Sequence, residues 1–367
     1  MQITKARFSQ FRNIDFCNLV LAGKNHFMLG VNGQGKSNCL EAIGFISALR
    51  SFRTQSTKPL FQKNMNEFQL FYEIEHERLG ITEVELRIKH KEKTLLIDGD
   101  PVRHLADFIG LFPVVPLHSG DLMILRGSPS ERRRFFDMTL ASVDPQYFKS
   151  LRMYYRAMQE RNQLLKAQSG GIAFDAFEKE LAKYAFSLAI KRKKGIEHIS
   201  QILANIYEAF SEDNESPVLA YKPNVDLKSI DAYGQFFAEQ RKKDLILGYT
   251  SSGPHRDDYS LGLAIGGAKE YGSDGQQRGL SLALRMAQAS LFETKLGMKP
   301  VILIDDILGE LDPKRKKSFW ATCSKEMQIF ASGTEFLVGE TSRDWQVWDV
   351  DSGNFKHADT TLSNKLT

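Results

Sequence analysis

An α/β fold assembled from both ends of the chain, with a mainly helical lobe inserted between them, is what this 367-residue sequence predicts. Three observations carry that expectation. A glycine-rich loop follows a short apolar strand near the N-terminus, a second apolar run ends in paired aspartates at Asp305-Asp306, and the stretch between has the three- and four-residue periodicity of packed helices.

The first element is His26-Phe27-Met28-Leu29, a buried strand followed by Gly30-Val31-Asn32-Gly33-Gln34-Gly35-Lys36-Ser37, a complete P-loop. Glycines let backbone N–H groups close around phosphate oxygens, and the following helix sets its positive N-terminal end there. In that arrangement Lys36 reaches the β- and γ-phosphates of ATP and the Ser37 hydroxyl ligates Mg2+. Asn38 to Ile46 carry apolar residues at helical spacing, which supplies the strand, loop and helix context that the motif requires.

The second element is Val301-Ile302-Leu303-Ile304, a continuous apolar run ending in Asp305-Asp306. A buried parallel strand delivers carboxylates at its C-terminal end in this way, which is the Walker B pattern. Asp305 is the candidate for the Mg2+ shell, and Asp306 for the group that orients the attacking water. Upstream, Ser273-Asp274-Gly275-Gln276 opens a helix-patterned stretch and matches the core of the ABC signature motif. A hydroxyl and a glycine at a helix N-terminus make a second anion-binding surface, suited to the γ-phosphate of a nucleotide held by another subunit. The three motifs together predict an ABC-type ATPase head that closes head to tail around two nucleotides.

Between the motifs, Leu151, Tyr155, Met158, Asn162 and Leu165 fall at four- and three-residue steps, and Ser169-Gly170-Gly171 breaks the pattern. Phe177, Leu181, Tyr184 and Leu188 resume it, and Ile196, Ile199, Leu203, Ile206 and Phe210 continue it. A short antiparallel helical hairpin along a heptad-like seam is the simple account. The expected division is an ATPase head from residues 1–118 and 246–367, with a helical lobe at 119–245.

Composition narrows the class of partner. With 42% hydrophobic and 26% charged residues the chain reads as globular, and no apolar run reaches the length of about 18 residues that suggests a membrane span. The first residues alternate polar and apolar like a strand, so a cytoplasmic protein is expected. Three cysteines without a CxxC pair indicate neither a disulfide framework nor a zinc site. The net charge of +4 permits a polyanionic partner without demanding one. Basic clusters stand at Arg132-Arg133-Arg134, Lys191-Arg192-Lys193-Lys194, Arg241-Lys242-Lys243 and Lys314-Arg315-Lys316-Lys317. A solvated helix face is the ordinary reading of each.

On these motifs the sequence resembles the RecF family, bacterial recombination and repair proteins that are SMC-like ATPases without the long coiled coil. The likeness runs along nearly the whole chain: Phe11-Arg12-Asn13, Asn32 to Asn38, Leu40-Glu41-Ala42-Ile43, Gly127 to Phe135, Ser252-Gly253-Pro254-His255-Arg256-Asp257-Asp258, Gly275-Gln276-Gln277-Arg278 and Asp305 to Asp312. It implies a weak, DNA-stimulated ATPase that dimerises on ATP and DNA, both single-stranded and gapped or double-stranded. It also implies help, with RecR and RecO, in loading RecA at gapped DNA, together with fork maintenance and SOS induction. By the same likeness Gly30 to Ser37 hold the triphosphate, Asp305 and Asp306 serve metal and water, and Ser273, Gly275 and Gln276 act across the dimer. DNA would be held in a groove between the dimer arms by phosphate contacts, with Arg132, Arg133 and Arg134 as contacts unless they pair acidic residues of the helical lobe.

Three segments depart from the family pattern. Pro116 to Gly120 replace a stretch of which only Asp121 is kept, Gly309 replaces a serine, and Ile329 to Thr334 lack a run of threonines. These changes bear on γ-phosphate sensing and turnover rather than on nucleotide binding. Two alternatives therefore stand beside the repair reading: another SMC-like or ABC ATPase without a repair role, or a DNA clamp that ATP closes without hydrolysis.

Overall fold

The structure is a computed structural model and describes residues 1–90, 92–168, 172–210, 215–307, 309, 311–336 and 343–358. Ser169-Gly170-Gly171 and most of the polar C-terminal tail therefore lie outside the described residues, as do Leu308 and Glu310 of the segment after Walker B. The chain folds as two compact units, Met1–Asp121 with Leu282–Thr367, and Leu122–Ser281.

The first unit opens with β1 (Gln2–Phe11), β2 (Ile14–Val20), β3 (Asn25–Leu29) and α1 (Lys36–Ala48). It continues through β4 (Glu67–His76), β5 (Gly80–Lys89), β6 (Glu92–Ile97), β7 (Asp100–Pro101), α2 (Leu105–Phe108) and β8 (Val114–His118). The second unit holds α3 (Leu122–Arg126), α4 (Pro129–Val143), α5 (Pro145–Lys166), α6 (Ile172–Glu208), β9 (Pro217–Lys222), α7 (Ile230–Leu247), β10 (Asp258–Leu263), β11 (Gly266–Gly267) and α8 (Ala268–Tyr271). Helix α9 (Asp274–Leu296) then runs into the first unit, which closes with β12 (Val301–Asp305), α10 (Pro313–Thr322), β13 (Ile329–Gly333), β14 (Gln346–Asp351) and β15 (Asn354–His357).

Two sheets organise the first unit. An antiparallel one runs β2-β1-β4-β5-β6-β7, and a mostly parallel one runs β15-β14-β3-β13-β12-β8. The parallel sheet draws neighbouring strands from residues 25–29, 114–118, 301–305, 329–333 and 346–351, so both ends of the chain are needed to build it. Strand β12 is apolar up to Asp305 because both of its faces are covered: Val301, Ile302, Leu303 and Ile304 are fully buried. Helix α1 packs on both sheets. Phe45 meets Phe11 and Phe68 of the antiparallel sheet edge to face, while Gly44 lies so close to Leu303 and Phe52 that a methyl group there would crowd both. A helix enclosed in this way is largely apolar, as Cys39, Leu40, Ala42, Ile43, Phe45 and Ile46 are, with Glu41 the buried exception in mid-helix.

The second unit extends beyond the expected 119–245, to residue 281. The reason is strand pairing: β9 lies within the expected insertion but pairs antiparallel with β10, and β10 with β11, which binds the following segment into the same unit. Helices α5 and α6 form the expected hairpin, with a shifted seam. The buried positions of α5 are Tyr147, Ser150, Tyr154, Ala157, Arg161 and Leu165, so most of the stripe lies one residue before the expected Leu151, Tyr155, Met158 and Asn162. On α6 the expected Leu181, Leu188, Ile196, Ile199 and Leu203 are buried.

Arg161 explains the shift, being fully buried and paired with Glu178 and Asp244. Arg192 is buried likewise between Asp137 and Asp257, so two arginines occupy core positions that an apolar count leaves out. The basic clusters are correspondingly divided: Arg132 pairs Asp258, Lys191 pairs Asp144, Arg241 pairs Asp175 and Glu178, and Arg315 pairs Asp312. Of the two readings left open for Arg132, pairing within the second unit is what the structure has.

Candidate functional site

The loop Gly30–Ser37 leaves β3 at the C-terminal edge of the parallel sheet. Gly33 and Gly35 take the left-handed backbone, at φ 83° and 115°, that a side chain would strain. Gly30 is held by close approach instead, since a Cβ there would overlap the Val350 carbonyl. Helix α1 begins at Lys36 behind Gly35 and has no side-chain cap, so its first amides stay directed at the loop.

Lys36 is buried and its Nζ donates to the carbonyls of Gly30 (2.6 Å) and Val31 (2.9 Å). Burial pulls its ammonium below the usual lysine range, and the charges of Asp306 and Asp305 oppose that. Ser37 Oγ donates to Asp305 Oδ1 at 2.6 Å, which joins the P-loop to the Walker B strand across most of the sequence. Asp306 stands one residue beyond the strand in a left-handed conformation at φ 59°, which turns its side chain out of the strand's alternation. Desolvation raises its carboxyl above the usual range, Asp305 adds to the rise, and Lys36 opposes it.

Sequence reasoning did not place the two strand neighbours of Asp305. Parallel register sets Asp305 opposite Ser332 on β13 and opposite His118 on β8. Ser332 Oγ donates to Asp305 Oδ1 at 2.9 Å, so the strand lacking threonines still offers a hydroxyl at the site. The departing segment at 116–121 folds into a closed turn in which Asp121 accepts from the His118 N–H and from Arg285. That accounts for the one residue the segment retains. His118 packs against the Phe52 ring, with its Nε2 3.2 Å from Asp121 Oδ1. Burial pulls its imidazole below the usual range, with Asp121 opposing.

The Phe11-Arg12-Asn13 turn supports the loop from outside. Phe11 enters the core, Arg12 forms a two-pronged pair with the buried Glu41, and Asn13 accepts from Asn38 and donates to the Gln34 carbonyl.

Ser273, Gly275 and Gln276 lie in the second unit, at the start of α9. The Ser273 hydroxyl accepts from the Gln276 N–H (3.2 Å) and the Gln276 side chain accepts from the Ser273 N–H (2.6 Å), a reciprocal capping box. The S-x-x-Q spacing was the available signal for it. Arg126 on α3 braces the same turn, donating to Asp274 (2.6 Å) and Gln277 (2.5 Å), and Gln276 also donates to Glu215.

The Gly-Pro-His-Arg-Asp-Asp run, whose role composition could not assign, builds the interior of this unit. Gly253 has φ 132° and its Cβ position lies 2.7 Å from Tyr154 Oη. The Pro254 carbonyl and the Asp257 carboxylate accept from Arg192, Asp258 accepts from Arg132, and His255 is hydrogen-bonded to Tyr154 and to the Thr250 carbonyl. Arg256 alone of the run is exposed, over the ring of Tyr249.

Among the described residues no group of three or more His, Cys, Asp and Glu is placed to hold a metal ion, and no helix is long and apolar enough to cross a membrane. A family model described as the RecF/RecN/SMC N terminal domain matches residues 2–335. The DNA replication and repair protein RecF of Halalkalibacterium halodurans is 30% identical over 372 residues, which is 97% of this chain and 99% of that protein. The RecF protein of Cyanothece sp. is 31% identical over 378 residues, 98% of this chain and all of that one. Among solved structures, the recombination mediator protein RecF with ATP superposes with a TM-score of 0.89 at 25% identity over 97% of both chains. An SMC head bound to the C-winged helix domain of ScpA superposes at 0.55 with 15% identity, covering both chains fully, which is likeness of fold alone.

Proposed function

Because this chain belongs to the RecF family, we propose that it is an ATP-dependent DNA-binding protein of recombinational repair whose hydrolysis of ATP gates its hold on DNA. One observation carries the reading: the 2.6 Å contact between Ser37 and Asp305, which brings the P-loop hydroxyl and the Walker B carboxylate to one point. Both are hard oxygen donors, and Mg2+ binds through one or two such groups together with phosphate oxygens and water. The ATP-bound RecF structure supports the nucleotide.

When bound, Mg-ATP supplies a phosphoanhydride whose terminal phosphoryl group can be transferred to water. Gly30, Val31, Asn32, Gly33, Gln34 and Gly35 would line the phosphates, with backbone N–H groups beyond Gly30, whose own N–H donates to the Gly333 carbonyl, and with the positive end of α1. Lys36 would exchange its two carbonyl partners for phosphate oxygens, at little cost because its hydrogen bonds would be replaced by ones to a charged acceptor. Ser37 and Asp305 would hold the metal, and Ser332 holds Asp305 in place through the same carboxylate oxygen that Ser37 contacts. Asp306, with its raised carboxyl, is the group to accept a proton from the attacking water.

Ser273, Gly275 and Gln276 serve the nucleotide of a partner subunit in a head-to-tail dimer, from a turn that its capping box and Arg126 hold rigid. On this reading DNA, RecR and RecO are partners, RecA lies downstream and the cytoplasm is the compartment; the solved relative is named as a mediator of the RecFOR pathway.

Sedimentation of wild type and Lys36→Met with gapped DNA, with and without ATP and Mg2+, tests this. Dimerisation and DNA binding that need both ATP and Lys36 are expected. Binding indifferent to ATP, or none at all, would leave an ABC-type ATPase without a repair role.

A further inference from the structure

We propose that the turn between β14 and β15 positions the nucleotide-binding loop, acting through Gln34, so that the C-terminal hairpin sets the affinity for the phosphates of a nucleoside triphosphate. The inference rests on the nucleotide reading of the preceding section and concerns how Val350, Ser352 and Gly353, outside all three motifs, act on Gly30 and Gln34 within the first.

The hairpin reaches the loop at both of its ends. At the first, the Val350 carbonyl fills the space that a side chain on Gly30 would need. At the second, the Gly353 N–H donates to the Gln34 carbonyl at 2.7 Å and the Ser352 N–H donates to Gln34 Oε1 at 2.7 Å. Ser352 Oγ adds a longer contact of 3.3 Å to the same side-chain oxygen. Ser352 and Gly353 take positive φ of 50° and 82°, the geometry of a tight two-residue hairpin turn, and that geometry turns both amides toward Gln34. Gly353 is buried against the Asn13 carbonyl, with no room for a Cβ, so the turn is wedged between the loop and the Phe11-Arg12-Asn13 corner.

The consequence follows from peptide geometry. A trans peptide directs its C=O and its N–H to opposite sides. Anchoring the Gln34 carbonyl on Gly353 and Asn13 therefore aims the N–H of Gly35, the next donor of the loop, away from the hairpin. Gly35, at φ 115°, has no side chain to fix its own orientation, and an unanchored peptide before it could rotate. The hairpin thus holds in advance a donor that would otherwise lose freedom when phosphate binds, and such preorganisation appears as affinity.

The test is titration of a fluorescent ATP analogue with Mg2+ into the full chain, for wild type, Gln34→Ala, Gly353→Ala and, as a neighbouring control, Asn354→Ala. Gln34→Ala removes the side-chain acceptor of Ser352, and Gly353→Ala displaces the turn from Asn13. Each is expected to raise Kd by about tenfold, the worth of one or two hydrogen bonds, with KM for ATP rising in step. Asn354→Ala stays within about twofold, as a surface substitution should. Melting measured without nucleotide separates positioning from damage, because Gln34→Ala removes no core contact and should leave the midpoint in place. Wild-type affinity in Gln34→Ala overturns the proposal, even if Gly353→Ala fails to fold. Wild-type chain that binds no analogue refutes the nucleotide reading itself, and the proposal with it.

Discussion

Replacing Arg192 with methionine puts the buried charge network of the second unit to the most demanding test. Methionine keeps most of the length and the apolar stem, so the packing change is small and the loss is electrostatic. Arg192 is fully buried and donates to both oxygens of Asp137 (2.9 Å each), to Asp257 (2.7 Å) and to the Pro254 carbonyl (2.6 Å). Removing one partner of a buried pair costs about 3–5 kcal/mol, because the carboxylates left behind are uncompensated. Set against a typical total of about 5–15 kcal/mol, that is roughly a fifth of the stability or more. With a urea slope of about 2 kcal/mol/M the midpoint falls by about 2 M.

The pH dependence gives the result its signature. Burial already pushes the Asp257 carboxyl up, against the pull of Arg192, and without Arg192 it rises further. A carboxyl whose folded pKa lies above its unfolded one binds more protons in the folded state, so stability is lost as pH rises through the folded value. The deficit of Arg192→Met is therefore larger at pH 8 than at pH 5.5. Urea melts followed by tyrosine fluorescence and by circular dichroism at both pH values measure it. A deficit below about 1 kcal/mol at pH 8, or one that grows on acidification, would refute the reasoning.

Two further predictions concern single side chains. Asp306→Asn should cut phosphate release by about 100-fold, the usual worth of a positioned base, while ATP-dependent dimerisation persists; unchanged release in a phosphate assay would favour the clamp that does not hydrolyse. Gly253→Ala introduces a Cβ at φ 132° that crowds Tyr154 Oη, and should lower the urea midpoint of the second unit by about 1 M, corresponding to about 2 kcal/mol of backbone strain and crowding.

What could be read before folding was the chemistry carried by contiguous residues. Gly30 to Ser37 and the Val301 to Asp306 strand identify themselves because phosphate cradling and carboxylate delivery each need particular residue types at fixed short spacings. The signature match before Walker B did the same for Ser273, Gly275 and Gln276. Periodicity located the hairpin of α5 and α6 but misplaced most of the α5 seam by one residue, since counting apolar side chains cannot credit Arg161 with a core position.

Tertiary structure alone decided the rest. His118 and Ser332 became neighbours of Asp305 through the register of parallel strands that are distant in sequence. The second unit runs to residue 281 because β9 found its partner in β10. The Gly-Pro-His-Arg-Asp-Asp run acquired its role only when Arg192, more than 60 residues away in sequence, came to lie between Asp137 and Asp257. A motif is legible where its partners are adjacent in the chain; where a charge is compensated or an amide satisfied by a residue from another element, only the folded chain supplies the partner.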